Sequence, residues 1–184
     1  MVEKKIASDE SAANAQKAKN ALNSYYRTIV KKLQPVKFDG SQDLQILAKI
    51  KTTSPNGTLF AHAFPAKWGA KWESGGSQGQ AKMLFLRNGR LSFDIGWVGV
   101  VTGTSNLADG KPHKIGLRYT KAENKFSLVV DGNVEASGLH AVDDRVGAEF
   151  MIGLSVGHSA RAVASMAPIY TGSIDDFRVS ATPA

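Results

Sequence analysis

Two periodicities divide the chain. From Ser8 to Leu33, the apolar residues Ala15, Ala18, Leu22, Tyr25, Ile29 and Leu33 recur at steps of three and four, the spacing that lines one face of an α-helix. Ser8 stands where an N-cap is needed, Asp9 and Glu10 suit the positive first turn, Lys31 and Lys32 suit the negative last turn, and Pro35 stops propagation. One amphipathic helix is expected here. It either docks on the domain that follows or supplies part of a partner interface, since an isolated helix is marginal in water.

After Pro35 the period falls to two. Leu44, Ile46, Ala48 and Ile50 share one side of a strand whose other side carries Gln45, Lys49 and Lys51. The alternation returns in Leu91, Phe93 and Ile95, in Ile115, Leu117 and Tyr119, and in Phe126, Leu128 and Val130. Pro55-Asn56-Gly57, Asn88-Gly89, Asp109-Gly110, Glu123-Asn124 and Asp131-Gly132 punctuate these runs. Asn-Gly and Asp-Gly accept the positive backbone angles of two-residue hairpins. Asn56-Gly57-Thr58 also fits a glycosylation acceptor, but a hairpin turn is its first explanation. Short strands without an intervening helical pattern predict an antiparallel sandwich or barrel. The expected organisation is a helical leader over 1–35, a β-sandwich over 36–181 and a tail over 182–184.

Two irregular stretches interrupt the strands, PAKWGAKWESGGSQGQ from Pro65 to Gln80 and GHSARAVASMAP from Gly157 to Pro168. In a jelly roll such loops gather at the sheet ends or cross a sheet face, where ligands are met. Composition narrows the field of partners. At 184 residues with 42% apolar content the chain can bury one core plus an appendage. Without cysteine it has no disulfide and no thiolate metal site. The net charge of +7 is uneven: residues 1–36 hold seven Lys and Arg against three acids. The excess therefore reads mainly as a solvated helix face, with nucleic acid and membrane as minority readings. No apolar run reaches the length of a membrane span, and MVEKKIASDESAANA lacks the apolar centre of a secretion signal. A processed or multidomain protein would show the same start.

Two segments resemble a known family. LADGKPHKIGLRYTKAENKFSLVVDGNVEASG, Leu107 to Gly138, resembles the laminin-G-like phrase D-G-x-W-H followed by two strands and a V-D-G-x hairpin, with Pro112 standing where that family often has Trp. YTGSIDDFRVS, Tyr170 to Ser180, resembles the family's closing strand, and VKFDGSQ, Val36 to Gln42, its opening one. MLFLRNGRLSFDIGWVGVV resembles a subtype found in large exported bacterial proteins. The resemblance covers roughly residues 36 to 180. It implies a concanavalin-A-like jelly roll, glycan or protein binding, an extracellular or periplasmic location, and often a calcium ion bracing the rim. Asp39 and Asp175 are the calcium candidates it implies, on strands that would be neighbours. Asp175 shares strand parity with Phe177 and Val179, and a carboxylate on that apolar face needs a metal, an Arg or backbone amides.

Among candidate ligand residues, Trp68 and Trp72 come first, because flat rings complement the C–H face of a pyranose. Lys67, Lys71 and Glu73 frame them with polar groups. The same two rings would serve equally as apolar pins holding their loop to the sheet. Trp97 continues the period of Phe93 and Ile95, which assigns it to the core. The histidines His62, His113, His140 and His158 lack metal-type spacing, and GGSQGQAK, ending at Lys82, lacks the G-K-[ST] close of a phosphate loop.

Catalysis by paired carboxylates needs acids on one strand face, as in E-x-D-x-x-E, and no such phrase occurs. Asp143-Asp144 and Asp175-Asp176 would point to opposite faces if extended. The leading expectation is a noncatalytic carbohydrate-binding, lectin-like module, part of or cut from a larger exported protein. The alternatives are a protein-assembly module using the N-terminal helix, and a glycan-cleaving enzyme with a nonstandard acidic pair.

Overall fold

The computed structural model describes residues 38, 40–63, 82–95, 99–140, 142, 149–153 and 170–182. The expected helix of 8–33 lies outside the described residues, as do Asp39, Lys67, Trp68, Lys71, Trp72, Glu73, Trp97, Asp143, Asp144 and His158. The chain divides into two units, Met1–Leu33 and Gln34–Ala184, and every described residue belongs to the second.

That second unit is an all-β sandwich of two antiparallel sheets. Its strands are β1 (Asp43–Lys51), β2 (Gly57–Ala63), β3 (Lys82–Arg87), β4 (Arg90–Ile95), β5 (Gly99–Thr102), β6 (Pro112–Thr120), β7 (Lys125–Val130), β8 (Asn133–Leu139), β9 (Glu149–Ile152) and β10 (Ser173–Thr182). Sheet 1 runs β10-β1-β6-β7-β8 and sheet 2 runs β5-β4-β3-β2-β9. β10 continues through Thr182, paired with Asp43, one residue into the expected tail.

The period-two residues face inward as their pattern requires. Leu44, Ile46, Ala48 and Ile50 are buried, as are Ile115, Leu117, Tyr119, Phe126, Leu128 and Val130. Rings tie the sheets together. Phe93 of sheet 2 lies 4.9 Å from Phe126 of sheet 1, and Tyr119 lies 4.7 Å from Phe126. Phe38 stacks on Phe93 at 6.2 Å and approaches Phe126 at the same separation. Lys82 is buried in β3 with its ammonium 5.2 Å from the Phe38 centroid, so this lysine is a cation–π partner of the core rather than the end of a phosphate loop.

The sheets differ in how their outer faces are treated. β3 is buried at five consecutive positions, Lys82 to Leu86, and β4 from Leu91 to Ile95. The central strands β3 and β4 of sheet 2 are therefore covered on both faces. Sheet 1 alternates, with Lys49, Lys51 and Arg118 exposed between buried neighbours and Lys114 exposed beside buried Ile115. One side of the sandwich is thus open to solvent.

Turn chemistry is borne out at two hairpins and corrected at a third turn. Asn88-Gly89 joins β3 to β4 with φ of 52° and 77°, and Asp131-Gly132 joins β7 to β8 with φ of 48° and 89°, the left-handed pair a two-residue hairpin demands. Pro55-Asn56-Gly57 is not a hairpin, because β1 belongs to sheet 1 and β2 to sheet 2. It is a crossover between sheets. Instead of closing a ladder it packs on the β3–β4 turn, where Gly89 N donates to Pro55 O at 2.7 Å and Asn88 N to Asn56 Oδ1 at 3.0 Å.

Candidate functional site

The open face of sheet 1 is built by register. Residues directly opposite on neighbouring strands stand about 5 Å apart on the same side, so the ladder pairings set the outward residues in rows across the sheet. One row is Arg178, Leu47, Gly116, Val129 and Val134, running β10-β1-β6-β7-β8. Leu47 is 38% and Val134 58% exposed. A Cβ at Gly116 would lie 3.1 Å from Leu47 Cδ2 and 3.5 Å from the Val129 Cβ. The missing side chain lets Leu47 lie down beside Val129, which joins the row into one low apolar strip.

The next row is Ser180, Gln45, Arg118, Ser127 and Ser137, all hydrogen-bonding side chains. Ser127 and Ser137 hydroxyls meet at 2.9 Å. On the other side of the apolar row stand Asp175, Lys49 and Lys114, with Lys51 two residues along β1 on the same side. Among the described residues Lys49, Lys51, Lys114 and Arg118 form no ion pair. A flat apolar strip between a hydroxyl and guanidinium row and an ammonium row can hold a ligand with C–H faces, hydroxyls and negative charge.

At the end of this face, His113 is held by two carboxylates. Its Nδ1 is 2.7 Å from Asp131 Oδ2 and its Nε2 3.1 Å from Asp109 Oδ1. Asp131 Oδ1 also accepts from Lys114 N at 2.8 Å, and Asp109 Oδ1 from Lys111 N at 2.8 Å. The hydrogen bond accepted by Asp131 and then that accepted by Asp109 raise the His113 pKa against a partial burial that lowers it. Asp131 is lowered chiefly by His113 and Asp109 chiefly by the Lys111 amide. The trio clamps the turn before β6 to the β7–β8 hairpin. Because the folded His113 pKa is raised, its contribution is complete below the ordinary value of 6.5 and is lost as pH rises through the raised value. The carboxylates act oppositely: their contribution is present above 3.8 and is lost as pH falls through their lowered values. Thermal melts should therefore show His113→Gln most below wild type between about pH 4 and 6.5, with the gap closing at alkaline pH; a gap that stays constant would rule out the ionic part of the clamp.

Asp175 does not face the core as its parity implies. Ile174 pairs with Ile50 and Asp175 with Lys49, but the next partner pair is Arg178 with Leu47. The extra residue is a β-bulge, with Asp176 at φ 52°, a backbone region that Asp tolerates better than most residues. The bulge resets the alternation. Phe177 then turns to the core against Phe60, ring centroids 6.0 Å apart, while Asp175 is exposed. Its need for a buried partner disappears. As a calcium ligand Asp175 offers one carboxylate opposite the Lys49 ammonium, a poor fit to a divalent cation on the described side. Among the described residues no three His, Asp or Glu converge on a metal position. His62 is buried in β2 and His140 follows β8, far apart in the topology from His113.

Alternation already placed Lys49 and Lys51 on one side of β1. The missed step was their alignment with Lys114 and Arg118, which depends on the β1–β6 register.

The family model of the Laminin G domain matches residues 50–182. No curated protein matches the chain in sequence. Among solved structures, domains LG4-5 of the mouse laminin alpha1 chain superpose with a TM-score of 0.60 at 22% identity, covering 82% of this chain and 38% of that one. The CBM40 of the Ruminococcus gnavus IT-sialidase bound to alpha2,3 sialyllactose gives 0.57 at 18% identity and 75% of each chain. The leech intramolecular trans-sialidase gives 0.58 at 15%, covering 78% of this chain and 22% of that one. The chain thus spans well under half the length of the laminin and leech structures it matches.

Proposed function

The chain belongs to the laminin G domain family, and from that premise we propose that it is a noncatalytic carbohydrate-binding module. The observation that carries this reading is the open face of sheet 1, where the apolar strip of Leu47, Gly116, Val129 and Val134 lies beside the polar row of Gln45, Arg118, Ser127 and Ser137. Sugars present both an apolar C–H face and a ring of hydroxyls, and this surface offers a partner for each. The Ruminococcus gnavus CBM40, which shares the fold, is bound to a sialyllactose. Trp68 and Trp72, framed by Lys67, Lys71 and Glu73, are proposed as a second contact from their loop. The module is proposed to work outside the cell or in the periplasm, as part of a longer exported protein. No helix among the described residues is long and apolar enough to cross a membrane.

A glycan array tests the proposal, with calcium and with chelator, beside a Trp68→Ala/Trp72→Ala variant and a Leu47→Ser/Val134→Ser variant. We expect glycan retention that drops about tenfold, some 1.4 kcal/mol, in at least one variant. Retention that survives chelator is expected, because Asp175 stands opposite the Lys49 ammonium. An array on which no glycan is retained in either condition would remove the carbohydrate reading and turn attention to protein partners.

A further inference from the structure

We infer that Asp94, on the outer face of sheet 2, is the acceptor of a second glycan subsite, one that takes the vicinal hydroxyls of a neutral sugar. The inference rests on the carbohydrate reading above and adds a site on the other sheet of the sandwich. Phe93, Ile95 and Val101 are buried toward the core, so parity turns Ser92 and Asp94 of β4 and Val100 and Thr102 of β5 outward. Register sets Asp94 between Met83 and Val100, and Ser92 between Phe85 and Thr102. Burial falls away along both rows toward β5, the last strand of its sheet among the described residues. Met83 is 1%, Asp94 5% and Val100 45% exposed. Among the described residues the Asp94 carboxylate accepts no hydrogen bond and forms no ion pair, and its oxygens keep contact with solvent. A carboxylate buried without a partner is destabilising, and groups kept in that condition concentrate at sites that meet a ligand. Asp94 is thus a two-oxygen acceptor left open on the β5 side.

The surroundings decide what the carboxylate receives. A divalent cation needs several oxygen ligands, and no three His, Asp or Glu converge on a metal position among the described residues. An ammonium would be opposed by Arg87 and Arg90, cross-strand partners at the turn end of the same outer face, Arg90 about 13 Å along β4 from Asp94. A neutral pair of adjacent hydroxyls meets neither obstacle. Each O–H donates to one carboxylate oxygen, in the charge-assisted form that is stronger than a neutral hydrogen bond. Val100 offers an apolar contact to the C–H groups of the ring beside it. One row away, about 7 Å along the strands, Ser92 Oγ donates to Thr102 Oγ1 at 3.1 Å. That leaves the hydroxyl hydrogen of exposed Thr102 for a further sugar oxygen.

The experiment uses the full chain and four immobilised probes: mannan, dextran, chitosan, and mannan oxidised with periodate and then reduced with borohydride. Periodate cleaves the carbon–carbon bond between vicinal hydroxyls and the reduction returns alcohols, so the treated mannan stays neutral without its diols. Mannan or dextran should be retained at pH 7.5, and the treated mannan held about tenfold more weakly than the untreated. Only the ionised carboxylate accepts from both hydroxyls. Burial raises the Asp94 pKa to about 6, so retention is present above that value and falls about tenfold between pH 7.5 and 5. The other charged residues of β3, β4 and β5 are Lys82, turned to the core beside Phe38, Arg87 and Arg90, none of them a carboxylate or a histidine. His113 titrates on sheet 1, and comparison with Asp94→Asn removes its share. Asp94→Asn should lose about tenfold at pH 7.5 and show no fall toward pH 5, in a protein whose urea midpoint at pH 7.5 lies above that of wild type. Thr102→Val should lose about threefold. An Asp94→Asn variant that holds mannan and dextran as tightly as wild type would overturn the inference and leave the carbohydrate module standing. So would treated mannan held as tightly as untreated, chitosan held more tightly than both neutral glycans, or retention on the array without retention of mannan or dextran. Retention of no glycan of any kind would overturn both.

Discussion

Replacing Phe126 by alanine is expected to cost about 3–5 kcal/mol of folding free energy, the range for a large buried aromatic. Phe126 has no exposed surface and sits where the two sheets meet, 4.9 Å from Phe93, 4.7 Å from Tyr119 and 6.2 Å from Phe38. Those neighbours come from three separate segments, β4, β6 and the chain before β1, the first two fixed by their ladders. None can move far into the void, so collapse is limited and most of the cavity cost remains. Urea unfolding measures it. Phe126→Leu should lose much less, because it keeps most of the volume. A cost near 1 kcal/mol for the alanine variant would show instead that the sheets slide together around the gap, and for a domain of about 5–15 kcal/mol that difference decides whether the variant folds at body temperature.

Asp94→Asn is expected to stabilise the protein at neutral pH by about 2–3 kcal/mol. Asp94 is 5% exposed on the covered outer face of sheet 2, opposite Met83. Burial raises its pKa to about 6, and the Arg87 charge only partly offsets that. The ionised form is thus disfavoured in the fold relative to the unfolded chain, whose carboxyl titrates near 3.8. Stability is fully present below that value, falls as pH rises, and levels off above about 6. At about 1.4 kcal/mol per pH unit the loss by pH 7.5 is on the order of 3 kcal/mol. The amide carries no charge to bury. Urea melts at pH 4 and 7.5 should therefore coincide for the two proteins at the lower pH and separate at the higher. An Asn variant that is weaker by the same amount at both would mean that the carboxylate is held for its hydrogen bonding rather than penalised for its charge.

How much of this could be read from sequence differs between the sheets for a physical reason. Sheet 1 keeps one face in water, so Leu44, Ile46, Ala48 and Ile50 alternate with polar residues and betray both strand and orientation. The central strands of sheet 2 are covered on both sides, and KMLFL and LSFDI carry no alternation in burial. Their strand character is legible, but not the burial of Lys82 and Asp94, which depends on what covers each face. The bulge in β10 was invisible for another reason: Asp175 and Asp176 have ordinary strand spacing on paper, and one residue at φ 52° reverses every inference drawn from parity. Pro55-Asn56-Gly57 has the chemistry of a turn but not its destination, since a hairpin and a crossover bend the chain alike. The cation rows required the β1–β6 register, a long-range fact that no window of sequence contains.

The pairing of β10 with β1 sets the order in which the protein can be made. These neighbours in sheet 1 lie at opposite ends of the sandwich sequence, Asp43 against Thr182, so their contact closes one of the longest loops in the domain. During synthesis β1 emerges first, gains β6 on one side, and then keeps its other edge bare until the last strand leaves the ribosome. An unpaired edge on a nascent chain is a site for mispairing with another copy. Lys49 and Lys51, which repel a second identical strand, stand on that edge throughout the wait.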